Sequence, residues 1–154
     1  MKQLKVYSAS RNGLQAPRSG DVGYDITALE TVALEPYSQS TKPVAKIRTG
    51  VHIELPIGYA GFLVEKSSVS SGNDKLLGGL ALRSGLIDPS YRGEIIVCIQ
   101  NISNETQIIE AGQKIAQLVI IPYITPDICF VSQADLSSSD RGNDGFGSTG
   151  THND

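Results

Sequence analysis

The chain has few of the residues and runs that mark several classes of protein. It has no tryptophan, one methionine, two cysteines and only 6% aromatic residues. It has no run of lysine or arginine, and its 13 basic residues are outnumbered by 16 acidic ones, for a net charge of −3. A broad electrostatic surface for DNA or RNA is therefore not expected, and any nucleic-acid component that it handles should be as small as a nucleotide.

Export and membrane insertion are not expected either. No apolar stretch has the length of a transmembrane helix. The first ten residues, MKQLKVYSAS, contain lysine but no apolar segment after it, so they do not predict a secretory signal, and the predicted location is the cytoplasm or nucleus. Without export, Cys98 and Cys129 are expected to be buried free thiols, and the sequons at Asn101 and Asn104 are expected to carry no glycan.

Short apolar runs of period two recur between turn signals, and helical periodicity is nearly absent. This pattern predicts an all-β sandwich, jelly roll or barrel. The predicted strands are 51–55 and its hairpin partner 61–66, followed by two central strands buried on both faces, 94–101 and 114–121. Residues 67–79 are the one place for a short helix or a long loop.

The last residues form a separate polar, glycine-rich zone. RGNDGFGSTG, residues 141–150, contains four glycines, one arginine and one phenylalanine. Such termini are usually disordered. Glycine backbone, an arginine fork and an aromatic face would also suit a loop that closes over an anionic ligand. The residues alone leave both interpretations open, and the predicted organisation is a β domain, 1–138, with a flexible C-terminal arm, 139–154.

The segment GLIDPSYRGE, residues 85–94, places a carboxylate where a strand gives way to a turn. Asp88 follows two aliphatic residues and precedes Pro89. A carboxylate on a partly apolar wall can act as a general base toward water. An isolated Asp-Pro pair is more often a simple turn. Tyr91 and Gly93 on the same corner favour the functional interpretation without deciding it.

Together these segments resemble the homotrimeric dUTP pyrophosphatase (dUTPase) family, and the resemblance covers about residues 20–150. The five family motifs occur in order as GYD at 23–25, KSS at 66–68, GLIDPSYRGE at 85–94, KIAQLV at 114–119 and RGNDGFGSTG at 141–150. GYD and KSS are weak alone, whereas the third and fifth motifs are highly specific. Five motifs in register make a chance match implausible.

Two segments imitate the family's second motif. PRSG at 17–20 spells its common form but precedes GYD, so it is interpreted as a surface turn. RSGL at 83–86 overlaps the third motif. KSS, which follows a predicted strand, takes the role instead. Lys66 in place of the commoner arginine keeps the charge but loses bidentate geometry.

The resemblance implies a distorted jelly roll or β-sandwich and a hydrolase, dUTP diphosphatase, that converts dUTP to dUMP and pyrophosphate. This reaction keeps uracil out of DNA and supplies dUMP for dTTP synthesis. Asp88 would be the catalytic base for water that attacks the α-phosphate, with Mg²⁺ as the cofactor. Asp25 would contact a metal-bound water rather than the metal, and a turn-forming aspartate is the alternative.

The resemblance also implies which residues bind the nucleotide. Backbone groups near Gly85 would bind uracil, and Tyr91 would pack under the deoxyribose. Arg141 would grip the γ-phosphate, and Phe146 would cover the base. The full implied set is Lys66, Ser67, Ser68, Gly85, Tyr91, Gln117, Arg141, Phe146, Gly147, Ser148 and Thr149. The tail is expected to be mobile without ligand and ordered with it.

In the family, a tail reaches a site built between other subunits, so the resemblance implies a homotrimer with three sites. Stable nucleic-acid or membrane binding is not expected. Gln117 has a second interpretation, an amide that ties neighbouring strands. Arg92 is expected to be structural, through an ion pair. Arg83, at the rim of the expected uracil pocket, stands where smaller residues are common and is a departure from the family pattern.

Two rival functions stay open from the sequence. A dCTP deaminase shares the fold and a phosphate-binding second motif, but its catalytic glutamate cannot be placed in this chain. A non-enzymatic regulator with the dUTPase fold would bind a protein partner and use dUTP as a switch. The segment between Lys66 and Asp88 is a few residues longer than usual, and the extra loop at 70–77 is the only sequence feature that favours the regulator.

Overall fold

The computed structural model describes residues 3–38, 44–72, 78–83, 85–140 and 142. Within them the chain is built of short β-strands. The strands are β1 (Lys5–Ser8), β2 (Leu14–Gln15), β3 (Tyr24–Thr27), β4 (Val32–Leu34), β5 (Val44–Arg48), β6 (Val51–Glu54), β7 (Tyr59–Glu65), β8 (Leu80–Leu82), β9 (Leu86–Ile87), β10 (Ile96–Asn101), β11 (Gln107–Ile109) and β12 (Lys114–Pro122); the helices are α1 (Ser67–Ser70) and a 3₁₀ helix at Gln133–Asp135. The all-β class predicted from the sequence is confirmed.

The strands pair antiparallel in several sheets. The largest described sheet has the order β2-β3-β12-β7-β9, and a second has the order β5-β10-β8. Two ribbons, β1-β6 and β11-β4, complete the pairings of the described strands. Most neighbours in these sheets are far apart in sequence, which is typical of a jelly roll and not of a simple meander.

The core is formed by aliphatic side chains from one face of each sheet. The larger side chains that are at most 1% exposed are Ile26, Ile47, Ile95, Ile99, Ile109, Ile115 and Leu118, and Val51, Val97 and Ala116 are buried as fully. Isoleucine fits this position because β-branched side chains pack well on a pleated surface. The sheets produced by this packing carry the polar groups of the candidate site.

The strands predicted near residues 51 and 61 are present, but their predicted pairing as a hairpin is wrong. Val51 and Ile53 of β6 face the core, as their alternation predicts. However, β6 pairs with β1, whereas β7 pairs with β12 and β9. The turn between them, closed by the Tyr59 amide donating to Pro56 O at 3.1 Å, takes the chain from one sheet to another. Alternation fixes which side chains face inward but not which strand is the partner.

The two strands predicted to be central are central: β10 lies between β5 and β8, and β12 lies between β3 and β7. The prediction that both faces are buried is wrong, since Cys98 on β10 and Gln117 on β12 are only half-buried. Each sheet packs against the core through one face. A short helix does follow β7, and residues 73–77 of the predicted helix or loop lie outside the described residues.

The chain divides into two compact units, residues 1–124 and 125–154. The described part of the second contains the 3₁₀ helix, whose Ser132 hydroxyl donates to Asp135 Oδ2 at 2.7 Å. Cys129, also in this unit, is a free but exposed thiol, so the prediction that it is buried is wrong: its segment belongs to no strand. In the described part of the chain, no helix has the length and apolar character needed to span a membrane.

Candidate active site

Cross-strand pairing gathers polar residues around one carboxylate. Asp25 on β3 lies opposite Gln117 on β12, and Lys66 directly follows β7 on the other side of β12. Asp25 Oδ1 accepts hydrogen bonds from Lys66 Nζ and Gln117 Nε2, both at 3.2 Å. Its Oδ2 lies 2.7 Å from Lys114 Nζ. We call these four residues the Asp25 cluster.

Two ammonium groups against one carboxylate give the Asp25 cluster an excess of positive charge. Partial burial raises the pKa of Asp25, but hydrogen bonds and charge from Lys114 and Lys66 outweigh this effect and hold the pKa below its usual value of 3.8. The carboxylate is therefore ionised at neutral pH. An ionised acceptor flanked by cationic donors is a suitable environment for phosphate oxygens and hydrated cations.

Lys114 belongs to this cluster although the sequence reasoning did not select it. Strict alternation along a strand would place Lys114 and Gln117, three positions apart, on opposite faces. A register shift between Lys114 and Ala116 breaks the alternation, as a β-bulge does, and lets both side chains reach Asp25. The lysine that begins the KIAQLV motif was the available signal, but the register shift itself has no clear mark in the sequence.

Gln117 performs the strand-tying role that was its alternative interpretation, since its amide bridges β12 to Asp25 on β3. Gly23 makes room for it: a Cβ on Gly23 would lie 3.0 Å from Gln117 Cβ and 3.1 Å from Cδ. Next to the cluster, Ser67 is exposed and Ser68 half-buried in the first turn of α1. Phosphate contacts by these residues stay predictions.

A cavity of about 180 Å³ lies at the edge strand β9 and brings together Gly85, Asp88 and Tyr91. Its other lining residues are Leu63, Leu86, Ile87, Glu94, Ile95 and Ile96. Gly85 O accepts from the Leu63 amide at 2.7 Å, and a Cβ on Gly85 would lie 3.0 Å from Leu63 O. The backbone thus passes very close to β7 at the mouth of this space, which we call the Asp88 cavity.

Asp88 presents an exposed carboxylate to this cavity. Its backbone oxygen accepts from the Tyr91 amide at 3.0 Å, which closes the turn. Among the described residues, none donates a hydrogen bond to the carboxylate or forms an ion pair with it. An unengaged carboxylate on a mostly aliphatic wall is well suited to accept a proton from water.

The turn after Asp88 is held by Arg92, whose Nη1 donates to Pro89 O at 2.7 Å and to Tyr91 O at 2.8 Å. Arg92 is structural here through these backbone carbonyls and not through the expected ion pair. Arg83, the departure noted at the pocket rim, donates from Nε to Gln100 Oε1 at 2.7 Å. That contact ties Arg83 to β10.

Comparisons with known proteins decide the family. A family model described as dUTPase matches residues 12–150. The chain belongs to the dUTPase family. This finding confirms the family and the enzyme class predicted from the sequence.

Two relatives of this dUTPase-family chain are both named deoxyuridine 5'-triphosphate nucleotidohydrolase. The deoxyuridine 5'-triphosphate nucleotidohydrolase of Leifsonia xyli subsp. xyli is 40% identical over 97% of this chain and 86% of its own length. The enzyme of that name from Candida albicans is 33% identical over 97% of this chain and 89% of its own length. These names favour dUTPase over the rival dCTP deaminase.

Solved dUTPase structures are also similar to this chain. The Staphylococcus bacteriophage 80alpha dUTPase, solved with dUPNHPP, superposes with a TM-score of 0.82 at 33% identity, over 98% of this chain and 100% of that one. A mutant dUTPase from phage phi11 of S. aureus, whose structure reveals the coordination of a structural Mg(II) ion, has a TM-score of 0.72 at 31% identity, over 87% and 99%. Both likenesses agree with the jelly-roll fold.

The dUTPase motifs fall into two separate places on the large sheet. Gln117 pairs with Asp25 on one side and with Val64 on the other, whereas Ile87, just before Asp88, pairs with Gly61. Asp25 and Asp88 thus differ by three strand steps and about four residues along the strands, or roughly 20 Å at ordinary strand spacings. One chain does not bring the Asp25 cluster and the Asp88 cavity together.

The predicted tail residues Arg141, Phe146, Gly147, Ser148 and Thr149 lie outside the described residues. Their roles, and the division at residue 138, stay predictions.

Proposed function

We propose that the chain hydrolyses dUTP to dUMP and pyrophosphate at sites shared between the copies of a homotrimer. The observation that carries the shared site is the separation of the Asp25 cluster from the Asp88 cavity. A base that acts through one water must lie within about 3 Å of that water and thus close to the attacked phosphorus. The groups that bind the adjacent phosphates must be close as well, so a second copy has to supply them.

Cyclic symmetry solves this problem because every copy supplies both halves to different sites. Exposed apolar side chains of the described residues support such an assembly. Leu86 on the edge strand β9 is 62% exposed. In the second unit, Ile128 is 82% and Phe130 is 94% exposed. These side chains are available for contact with another copy, and an added copy would also cover open strand edges.

The reaction uses Asp88 as the base that orients and deprotonates the attacking water. The water oxygen forms the new bond to the α-phosphorus, and pyrophosphate leaves with the electrons of the broken P–O bond. Lys66 and Lys114 neutralise phosphate charge, which supplies most of what phosphoryl transfer requires of a protein. The apolar wall around Asp88 limits competing water.

A magnesium ion carried by the triphosphate fits the Asp25 cluster better than an ion held by protein ligands. The cluster offers one carboxylate, whose two oxygens already accept from ammonium and amide groups. The described residues contain no group of three His, Cys, Asp or Glu side chains that could hold a metal. Asp25 would face the water shell of the ion, and bound Mg²⁺ would offset the negative charge of the phosphates.

Selectivity follows from the Asp88 cavity. Backbone groups near Gly85 would bind the uracil edge, where the exocyclic oxygen of uracil and amine of cytosine differ as acceptor and donor. Tyr91 would pack against the deoxyribose and exclude a 2′-hydroxyl. The tail, with Arg141 on the γ-phosphate and Phe146 over the base, would close the site and exclude water.

The decisive experiment mixes two variants that are each defective in one half of the site. Asp88→Asn and Asp25→Asn chains are denatured together, refolded at equal amounts and assayed for pyrophosphate release from dUTP. If the two halves of a site come from different chains of a cyclic trimer, about a quarter of the sites in the mixture should contain both an intact Asp25 and an intact Asp88. Activity no higher than that of either variant alone would overturn the shared site.

The chemistry is tested separately with unmodified protein. Pyrophosphate release is measured with dUTP, dCTP, dTTP and UTP in the presence and absence of Mg²⁺. A strong preference for dUTP that depends on Mg²⁺ is expected. Comparable turnover of all four nucleotides would overturn the specificity, and ammonia release from dCTP would favour the deaminase.

A protein-binding regulatory role is a second candidate. Solved phage dUTPases with which this chain superposes at a TM-score of 0.82 are described as controlling the transfer of virulence genes by a G protein-like mechanism. Such a role is compatible with an intact active site. Deleting residues 70–77 tests it: loss of partner binding with dUTP turnover retained supports the regulator, and unchanged binding removes the loop from that role.

A further inference from the structure

Gly93 lies against the hydroxyl end of the Tyr91 ring. A Cβ at position 93 would lie 2.5 Å from Tyr91 Cζ and 2.9 Å from Cε2, with the hydroxyl oxygen closer still. Real Cβ atoms do not approach other atoms so closely. The φ of Gly93 lies outside the left-handed region, so the backbone conformation does not require glycine there. The demand for glycine comes from the tyrosine ring.

Hydrogen bonds from its hydroxyl and from its backbone amide also hold Tyr91 in place. The Tyr91 hydroxyl donates to Glu94 O at 2.8 Å, and its amide donates to Asp88 O at 3.0 Å. Tyr91 remains 44% exposed and lines the Asp88 cavity. The ring is therefore held on a defined plane while one part of its surface stays open to whatever occupies the cavity.

The acceptor at Glu94 is itself anchored to another part of the fold. The Glu94 carboxylate accepts from the Gly50 amide at 2.7 Å, the Thr49 amide at 3.1 Å and Arg48 Nε at 3.1 Å. These donors lie at the end of β5 and in the turn before β6. Glu94 thus connects the Tyr91 ring to the sheets, so the ring is held by more than the exposed turn alone.

We infer that Gly93 and Glu94 are positioning residues that place the Tyr91 ring and thereby set the discrimination between deoxyribose and ribose triphosphates. The inference rests on the proposed function, in which Tyr91 packs against the sugar. A methyl group at position 93 would push the ring about 1 Å to restore ordinary carbon contacts. A displacement of that size changes the space for a 2′-hydroxyl, so the effect appears in sugar selectivity before it appears in stability.

The test uses four proteins: unmodified, Gly93→Ala, Tyr91→Ala and the double variant. For each, kcat/KM is measured with dUTP and with UTP, and thermal unfolding is followed. Gly93→Ala is expected to lower the dUTP-to-UTP ratio about tenfold or more, the range that one misplaced contact gives. In the Tyr91→Ala background the ring is gone, so Gly93→Ala should leave the ratio unchanged.

Each result bears on a different part of the inference. An unchanged dUTP-to-UTP ratio in Gly93→Ala would overturn the inference, because replacing a purely structural glycine lowers kcat/KM for both substrates alike. An equal fall of the ratio with and without the Tyr91 ring would overturn it as well. If Gly93→Ala fails to fold, recovery of folding in the double variant supports the ring contact, and failure in both backgrounds overturns it. Tyr91→Phe introduces no clash but removes the hydrogen bond to Glu94 O, so its dUTP-to-UTP ratio should fall part of the way. An unchanged ratio would show that Glu94 does not position the ring.

Failure of the proposed function is distinguishable from failure of this inference. If the unmodified protein turns over dUTP and UTP equally, or if Tyr91→Ala keeps the full preference, then the role of Tyr91 is wrong before Gly93 is considered. A preference that Tyr91→Ala abolishes and Gly93→Ala retains would leave the proposed function intact and refute the positioning role.

Discussion

Lys114 Nζ lies 2.7 Å from Asp25 Oδ2, although the strand register places Thr27, and not Asp25, opposite Lys114. The irregularity between Lys114 and Ala116 redirects the lysine toward a carboxylate two residues away along β3. Lys66 approaches the same carboxylate from the end of β7. A single register shift thus completes the cationic surroundings of the group that is expected to face a metal-bound water.

Lys114→Met should raise the pKa of Asp25. Burial is then opposed by the hydrogen bond and charge of Lys66 without those of Lys114. A carboxyl group with a lowered pKa in the folded state adds stability above its ordinary value of 3.8, and this contribution is lost as the pH falls through the lowered folded value. The variant should therefore unfold at a higher pH on acidification. Carboxyl NMR titration and far-UV circular dichroism measure the two effects.

Lys5→Met provides the matched control for that variant. Lys5 Nζ lies 2.8 Å from Glu54 Oε1, but the lysine side chain is 68% exposed and the pair is solvated. Exposed pairs of this kind contribute little to stability, because solvent screens both charges. An acid midpoint that moves as far in Lys5→Met as in Lys114→Met would mean that the Asp25 cluster has no special role in acid stability.

Asp88→Asn should lower kcat for dUTP by about 10²–10⁴-fold, the usual contribution of a positioned general base, while nucleotide binding is retained. Asparagine keeps the shape of the side chain but cannot accept the proton. Steady-state kinetics and equilibrium binding of a non-hydrolysable dUTP analogue separate the two effects. Glu30→Gln, which neutralises a carboxylate outside the Asp25 cluster and the Asp88 cavity, is the control. Equal losses of kcat in the two variants would contradict the role of Asp88.

The local part of the site could be predicted from the sequence because its residues are contiguous. GLIDPSYRGE encodes its own turn, so Gly85, Asp88 and Tyr91 meet in one cavity as the motif suggests. The Asp25 cluster depends on strand order and on a bulge, and neither is visible in a pattern of period two. For this reason Lys114 was missed. The β6–β7 hairpin was wrongly predicted on the same grounds.

Asn101→Asp should destabilise the fold by about 2–5 kcal/mol. An aspartate carboxylate cannot donate a hydrogen bond, so two backbone carbonyl oxygens would lose their donor and lie against a buried negative charge. Asn101 is 1% exposed, and its Nδ2 donates to Leu34 O at 3.0 Å and to Glu105 O at 2.7 Å. Urea unfolding measures the loss. Asn104→Asp at an exposed neighbouring position is the control, and equal free energies of unfolding for the two variants would contradict the role of Asn101.

Truncation after Asp140 should remove most dUTP turnover and leave the assembly intact. The buried core that holds the sheets together lies within residues 1–124, whereas the removed residues supply Arg141 and Phe146, the predicted lid groups. Loss of a closing segment that excludes water and adds phosphate contacts lowers the rate of the chemical step. Pyrophosphate release and light scattering are measured on the same sample. A truncated protein that dissociates would show that the tail contributes to assembly, and one with full turnover would show that the fifth motif is dispensable.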